Sequence, residues 1–352
     1  MALKIGFVGN GLISWAHAMA LRSIGDSNLV EFSFASNFDE NFERANQFSQ
    51  FNGSKLAENA DEVIASSDAV WICTPTSSHK ELVRKCSEQG VATFCEKPLA
   101  LDFSDAKEIA SIAEASGIVF QVGLVLRTCP VFIKLKSIVE NRSLGNPMAV
   151  NMRDDQFFPV QGHYASKWRA DVEQAGVGTL IEHSIHDIDI LRFCFGEVES
   201  MSANISNNAQ YVGIEDVAGV RMVHDSGVIS NLTSVWHQIT SRPSTRRVEV
   251  FFEKGLIWLE NDFIGPLNVI KDSGHEVIEC EPTKDVASLS LPDTDIGLAV
   301  KMYVQENLVF LNAAMGISKG SLSVKDAVEA HHLIEKAYLS AAEGGKLIKT
   351  MQ

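Results

Sequence analysis

A two-domain α/β protein is what this chain predicts: a doubly wound parallel sheet over residues 1–125, then an α+β domain over residues 126–352 with a large mixed, mostly antiparallel open sheet. Three observations carry the prediction. Short apolar runs alternate with amphipathic stretches through the first third, the pattern of a parallel sheet covered on both faces. A glycine turn, Gly9-Asn10-Gly11, lies between the first apolar run and the first helical pattern. After about residue 125 the rhythm changes to longer β-like stretches separated by Gly and Asp-Ser-Gly turns, which points to an antiparallel or mixed sheet. At 352 residues the chain also exceeds one comfortable core.

Taken in order, Leu3–Val8 reads as a strand and Leu12–Ile24 as a helix, followed by a strand at Leu29–Ala35 and a helix starting near Asp39. A short strand at Ser54–Ala57 precedes a helix at Asn59–Ser66. Ala69–Cys73 is a strand, Ser78–Gln89 a helix and Val91–Cys95 a strand. Asp102–Ser116 is a helix with Asp102 or Ser104 as its cap, and Ile118–Val122 is the last strand of the series. The second domain places strands at Met148–Arg153, Val217–Val223, Val228–Trp236, Arg247–Phe252 and Leu256–Leu259. Two amphipathic helices, near Ile296–Met315 and Val324–Ala342, close the chain and can pack back on the first domain.

Composition narrows the class. A net charge of -15, from 30 basic and 45 acidic residues, argues against nucleic acid or an anionic membrane as partner. No apolar run is long enough to span a bilayer, and the start of the chain lacks the charged segment and cleavage site of a signal peptide. The six cysteines are scattered without CxxC spacing and are expected to be reduced. The expected compartment is the cytoplasm.

Gly9-Asn10-Gly11-Leu12-Ile13-Ser14 sits where a Rossmann dinucleotide fingerprint belongs. The first glycine permits the tight turn, and the second lets the backbone approach a pyrophosphate at the helix N-terminus. Ser14 replaces the third glycine and is small enough to keep the helix near the sheet. The alternative is a plain βα turn. The position expected to grip the adenosine ribose, at the end of the second strand, reads Ser36-Asn37. It offers neither the acid of NAD enzymes nor the arginine of NADP enzymes. Asp39, Glu40 and Glu43, opposed by Arg44 alone, tilt the expectation toward NAD.

Thr74-Pro75-Thr76-Ser77-Ser78-His79 and Cys95-Glu96-Lys97-Pro98-Leu99 follow two further strands. A proline disfavours helix for the residue before it, so Lys97 is held extended at a strand's carboxyl end. Ligands of open α/β sheets bind there, and a positioned lysine can hydrogen-bond or protonate a substrate oxygen. A surface lysine is the alternative. Farther on, Gly178 opens a helical pattern in which Glu182, His186 and Asp189 fall on one stripe at roughly 100° per residue. A histidine flanked by carboxylates suits a general acid/base near neutrality. A solvated polar face is one alternative, and zinc held by His183, His186 and Asp189 another. The chain is read as having no metal site.

With these motifs on the page, the chain resembles the family of glucose–fructose oxidoreductase, inositol dehydrogenase and the MocA proteins (Gfo/Idh/MocA). The resemblance runs over nearly the whole chain. It includes Gly9-x-Gly11-x-Ile13 with His17, Thr74-Pro75 with His79, Glu96-Lys97-Pro98, Arg127 before a proline-led helix, Trp168-Arg169, and the helix of His186 and Asp189. It implies that Gly9, Asn10, Gly11, Leu12, Ile13, Ser36, Asn37, Thr74, Pro75, Thr76, His79, Glu96 and Lys97 line NAD(P)(H). Trp168, Arg169 and Tyr303 are implied to reach it from the second domain. Lys97 and His186 are the implied catalytic pair, with Glu182 orienting His186. Two departures stand out: Glu182 where polyol-oxidising members carry aspartate, and Val177 interrupting the family's doubled glycine.

The expected function is hydride transfer between the nicotinamide and a secondary hydroxyl or keto group of a sugar, cyclitol or related polyol. Arg127, Asp155, His163, Tyr164 and His237 are candidates for the substrate pocket, each with an unrelated surface or core role as its alternative. The fold also hosts NAD-dependent glycoside hydrolases with transient sugar oxidation and non-enzymatic sugar-sensing regulators. The resemblance implies a homodimer or homotetramer through the open sheet face.

Overall fold

The computed structural model describes residues 2–351 except 163, 288, 290–294 and 319–322. The chain forms two compact units, Met1–Val125 with Pro282–Val328, and Leu126–Glu281 with Glu329–Gln352.

In the first unit the strands β1 (Leu3–Val8), β2 (Phe32–Phe38), β3 (Lys55–Leu56), β4 (Ala69–Ile72), β5 (Ala92–Cys95) and β6 (Phe120–Val122) alternate with helices. These are α1 (Leu12–Asp26), α2 (Phe42–Asn52), α3 (Ala60–Ala65), α4 (His79–Gln89) and α5 (Phe103–Ser116). The strands pair in parallel in the order β3-β2-β1-β4-β5-β6. Every residue of β4, Ala-Val-Trp-Ile, is buried, as expected of a strand covered on both faces. One face carries the core of α3, α4 and α5, with Val63, Val83, Ile109 and Ala113. The other is an aromatic cluster in which Trp71 stacks against Phe94 at 6.0 Å and meets Phe310 edge-on at 4.9 Å. Phe310 comes from a helix late in the chain (Asp295–Ala314), so this segment completes the first unit's core.

The second unit is built on β7 (Pro147–Phe157), β8 (Val198–Ser206), β9 (Val217–His224), β10 (Ile229–His237), β11 (Thr245–Phe252), β12 (Gly255–Leu259), β13 (Leu267–Lys271), β14 (Gly274–Ile278) and β15 (Ile348–Lys349). They form one sheet in the order β14-β13-β12-β11-β7-β10-β9-β8-β15, antiparallel except between β7 and β10. The fold class is the one expected. Its helices are α6 (Pro130–Asn141), α7 (Val172–Ala175), α8 (Thr179–Glu182) and α9 (Ile185–Phe195). The helices that follow are α10 (Lys284–Ala287) and α11, the Phe310 helix, in the first unit, and α12 (Val324–Ala342), which runs from one unit into the other. Inward positions of the sheet are apolar, as at Val150, Met152, Leu232, Val248 and Val250. Outward positions of the central strands are largely polar, and Asn231 Nδ2 donates across to Asn151 Oδ1 at 3.1 Å.

Two boundaries differ from expectation for physical reasons. The second strand is Phe32–Phe38 rather than Leu29–Ala35, because Leu29 and Val30 lie in the turn that ends α1. The helix expected through Glu182 and His186 is two helices. His183 (φ −113, ψ −58) and Ser184 (φ −82, ψ 8) interrupt it, so a single 100° stripe does not run through it. β8 was not anticipated: its register shifts between Val198 and Ser200, which breaks the two-residue alternation. Nor were β13 and β14 anticipated, and β14 has hardly a buried residue to mark it. All six cysteines are free. Among the described residues no helix is long and apolar enough to cross a membrane.

Candidate active site

The glycine turn fits a dinucleotide for two separable reasons. Gly9 adopts φ +85, and a Cβ there would lie 2.5 Å from Cys73 O, so only glycine lets β1 turn against the end of β4. Gly11 caps α1 at φ −75, and a Cβ there would meet no heavy atom of the described residues within 4 Å. Its surroundings are open at the N-terminus of a fifteen-residue helix, where a pyrophosphate is favoured. Ser14 is buried, its hydroxyl donating to Gly11 O at 2.5 Å. Leu12 is left exposed.

The two residues expected at the ribose position are both buried. Asn37 is fully buried, with Nδ2 donating to Asn10 Oδ1 and Ala45 O, both at 2.9 Å, and Oδ1 accepting from Ser54. Ser36 is buried and pairs its hydroxyl with Ser66 at 2.7 Å. Both residues serve the interior. The acid at the true end of β2 is Asp39, whose Oδ2 accepts from Asn10 N at 2.6 Å, which puts it against the glycine turn. Arg44 grips the same carboxylate, Nε to Oδ2 at 3.0 Å and Nη2 to Oδ1 at 2.6 Å. The sequence reading used Asp39 only as a nearby charge, because it ended the strand too early.

The other two motifs are stapled together. The His79 ring, 1% exposed, lies 3.1 Å from Thr74 O and 3.0 Å from Pro98 O. Burial holds its pKa below the ordinary histidine value, with the backbone carbonyls opposing. Ser78 donates to Thr74 Oγ1 at 2.6 Å, and Thr76 is buried after Pro75 at the start of the same short turn. Glu96 and Lys97 follow β5 directly. The Glu96 carboxylate is turned inward, reaching His17 Nε2 at 2.8 Å, and its Oε2 accepts from Lys97 N at 3.1 Å. The Lys97–Pro98 peptide is cis. Tyr303 belongs to this first unit, not to the second as the sequence reading had it, and its ring lies 5.1 Å from that of His17.

In the second unit His186 is 8% exposed on the first turn of α9. Glu182 ends α8, and its carboxylate lies 3.0 Å from Arg169 Nε. Arg169 stacks over the Trp168 ring at 4.7 Å and approaches Tyr164 at 6.0 Å. Gly178 allows this helix to start close to β9: a Cβ there would fall 1.9 Å from Glu215 O. Glu215 Oε1 accepts from Leu180 N at 2.8 Å and from Tyr338 OH at 3.0 Å, and burial pushes its pKa up to about 7.

Several expected site residues have other partners. Asp189 is held bidentate by Arg127, both contacts at 2.7 Å, and His183 faces Asp154 at 3.0 Å. Two members of the zinc grouping, His183 and Asp189, are therefore committed to separate ion pairs. Asp155 accepts from Arg242 at 2.6 Å and Thr245 at 2.9 Å, and lies 2.7 Å from Arg153 and 3.4 Å from His237. Partial burial raises its pKa, but Arg242, Thr245 and Arg153 overcome this and hold it down at about 2. Tyr164 packs on Phe157 at 5.4 Å. His163 lies outside the described residues.

Sequence reasoning missed a buried cluster under α9. Arg246, 3% exposed, donates to Asp187 Oδ1 at 2.6 Å and Asp154 Oδ2 at 3.1 Å, and also bonds Asp262. Three carboxylates share one guanidinium, so one of them is better off neutral. Burial pushes Asp187 up to about 7 against the pull of Arg246, with Asp154 adding to the rise. Only the position of Asp187 beside His186 hinted at it.

Two domain descriptions of one family match the chain: "Oxidoreductase family, NAD-binding Rossmann fold" over residues 3–124, and "GFO/IDH/MocA C-terminal domain" over residues 132–258. The chain belongs to the Gfo/Idh/MocA oxidoreductase family, and is an oxidoreductase with an NAD-binding Rossmann domain. It is similar to D-apiose dehydrogenase of Paraburkholderia graminis, 28% identical over 350 residues, covering 97% of this chain and 88% of that relative. It is also similar to myo-inositol 2-dehydrogenase of Thermotoga maritima, 28% identical over 269 residues, covering 74% and 75%. Its fold matches that of levoglucosan dehydrogenase in complex with NADH, with TM-score 0.87, 20% identity and full coverage of both chains.

Two predictions follow from this geometry. Gly11→Ala should leave Tm within about 4 °C of wild type, a stability change under about 1 kcal/mol, yet weaken NADH binding at least about tenfold by calorimetric titration. Gly9→Ala should instead lower Tm by more than that. Equal losses of stability in the two variants would contradict the separation of roles.

The second concerns Asp187. Its native pKa, about 7, lies above the unfolded value of about 3.9. Between those pH values the folded state keeps a proton that the unfolded state has lost. This group's stabilisation is therefore complete below about pH 4 and disappears as pH rises through about 7. Asp187→Asn, which imitates the neutral acid, should flatten the pH dependence of Tm across that window. An unchanged slope would assign the proton elsewhere.

Proposed function

We propose that the protein transfers hydride between a nicotinamide dinucleotide and a secondary hydroxyl or keto carbon of a sugar, cyclitol or related polyol. The observation that carries the reading is Lys97, anchored by Glu96 at the carboxyl end of β5 in an NAD-binding Rossmann domain. The names of the relatives, D-apiose dehydrogenase and myo-inositol 2-dehydrogenase, support the substrate class. When bound, the dinucleotide supplies the hydride acceptor for oxidation or the donor for reduction. The residues assigned to hold it are the Gly9–Ile13 turn, Asp39 and Thr74–Thr76, with Trp168 and Arg169.

In the oxidative direction His186 takes the hydroxyl proton as general base, and Lys97 hydrogen-bonds the same oxygen and stabilises the developing alkoxide. Glu182 stays in the proposal as the acid that ends α8, across the break from His186, its carboxylate facing Arg169. NAD is the assigned cofactor: a carboxylate at the end of β2, against the glycine turn, is the group that bonds ribose hydroxyls and repels a 2′-phosphate. The outward, polar face of the nine-stranded sheet is assigned to a second copy of the chain.

A panel of sugars, inositols and their keto forms, assayed with NAD(H) and NADP(H) by nicotinamide absorbance, tests the reaction. Lys97→Met should lower kcat at least about 100-fold, as loss of one acid/base group does, while NADH affinity stays within about threefold. His186→Ala should also remove the basic limb of the pH–rate curve near neutrality. Full turnover in Lys97→Met, or an unchanged limb in His186→Ala, would sink these assignments.

Cofactor choice has its own test. Asp39→Ser removes the acid and releases Arg44 for an additional phosphate. The ratio of kcat/KM for NAD over NADP should fall at least about tenfold, the size of one charge-assisted hydrogen bond. An unchanged ratio would mean that Asp39 only braces the turn.

A further inference from the structure

The His17 ring is fully buried in the first unit, with Nδ1 3.1 Å from Asn307 Oδ1 and Nε2 2.8 Å from Glu96 Oε1. Its protonation can be argued from its neighbours. Trp71 Nε1, which only donates, bonds the same Asn307 Oδ1 at 2.8 Å, and Asn307 Nδ2 donates to Tyr303 O at 2.7 Å. The Asn307 amide is thereby oriented, and its oxygen accepts from both rings, so His17 Nδ1 carries a hydrogen. With Nδ1 committed, the contact between Nε2 and Glu96 Oε1 needs a second proton, on one atom or the other.

Glu306 borders this seam. It is 0% exposed, both its carboxyl oxygens lack a hydrogen-bond partner among the described residues, and a carboxyl oxygen lies within 4.8 Å of the His17 and Glu96 atoms. Ionised, it would place a second buried carboxylate beside Glu96 with no donor to satisfy it, an expensive arrangement. Burial, with Glu96 beside it, pushes its pKa well up. A metal ion is the competing way to satisfy the three side chains. However, the 2.8 Å contact of Nε2 with Oε1 is a hydrogen-bond distance. Two ligands of a tetrahedral zinc, each about 2.0 Å from it, stand about 3.3 Å apart.

We infer that His17 is a positioning residue for Lys97. It holds a proton against Glu96 Oε1, the other Glu96 oxygen fixes the Lys97 backbone N–H, and Glu306 closes the cluster as an uncharged acid. Gly123 belongs to the same device: a Cβ there would meet Glu96 Oε1 at 2.8 Å, so its absence leaves the carboxylate its place. The inference rests on the catalytic reading of Lys97 given above.

The test is a double-mutant cycle of His17→Phe with Lys97→Met, reading kcat, NADH affinity and Tm. Displacing a catalytic group by about 1 Å can cost 10²-fold, so His17→Phe should lower kcat by about 10–100-fold with NADH affinity within about threefold. In the Lys97→Met background the same substitution should cost less than about threefold, because residues acting as a unit are non-additive. An equal cost in both backgrounds, or none in the wild type, overturns the inference while leaving the role of Lys97 standing. Undiminished turnover in Lys97→Met alone overturns that role and this inference with it. Should His17→Phe not fold, nitrogen NMR of the histidine-labelled native protein decides: Nδ1 of His17 must bear hydrogen, and a bare Nδ1 overturns the inference. One metal ion per chain in the purified protein, lost in Glu306→Gln, overturns it as well.

Discussion

The Glu96 carboxylate is the contact around which the first unit's candidate site is arranged. Its two oxygens face in different directions, one to His17 and one to the Lys97 amide. Each partner is tied in turn to other groups. His17 is tied through Asn307 to Trp71, the indole at the centre of the aromatic core. The loop after Lys97 is tied through His79 to the turn that begins at Thr74. Position at a strand end is thus converted into a fixed backbone at one lysine. The anchoring residue Asn307 comes from α11, so a helix from the far end of the chain is part of the site's foundation.

The second unit solves a different problem around Arg246. The guanidinium on β11 gathers Asp154 from β7, Asp187 from α9 and Asp262 from beyond β12. Buried ion pairs repay their desolvation only when every group is matched. Here three acids compete for one cation, and burial pushes Asp187 up to about 7. The arrangement pins the first turn of α9, which carries His186, to the sheet. Asp189, farther along α9, is bound by Arg127 from the turn that precedes α6. The helix that carries the proposed base is therefore held from both sides by charge rather than by apolar packing alone.

The fold was legible where the signal is local. The turn from β1 to α1 follows from two glycines and two short periodic runs, and the parallel sheet follows from uninterrupted apolar strands such as Ala69–Ile72. Reading failed where a long-range partner decides. Leu29 and Val30 are apolar, but they end a helix, and that displacement hid Asp39 as the acid of the strand end. Nothing near Arg127 in sequence announces Asp189, 62 residues away, and nothing near Asp155 announces Arg242, 87 residues away. The stripe drawn through Glu182 and His186 assumed one helix where the backbone breaks at His183 and Ser184. The place of Lys97 just beyond a strand's end was legible because proline and strand end are adjacent in sequence, whereas the support proposed for it from His17 and Glu306 depends on folding.

The central claim is that hydride passes directly between the nicotinamide and a carbinol carbon. Its most direct test reduces the keto form of the preferred polyol with NADH deuterated at the transferring C4 position, followed by mass spectrometry of the product. The account predicts one deuterium per product molecule, bound to the former carbonyl carbon. Product carrying only solvent hydrogen at that carbon would contradict it.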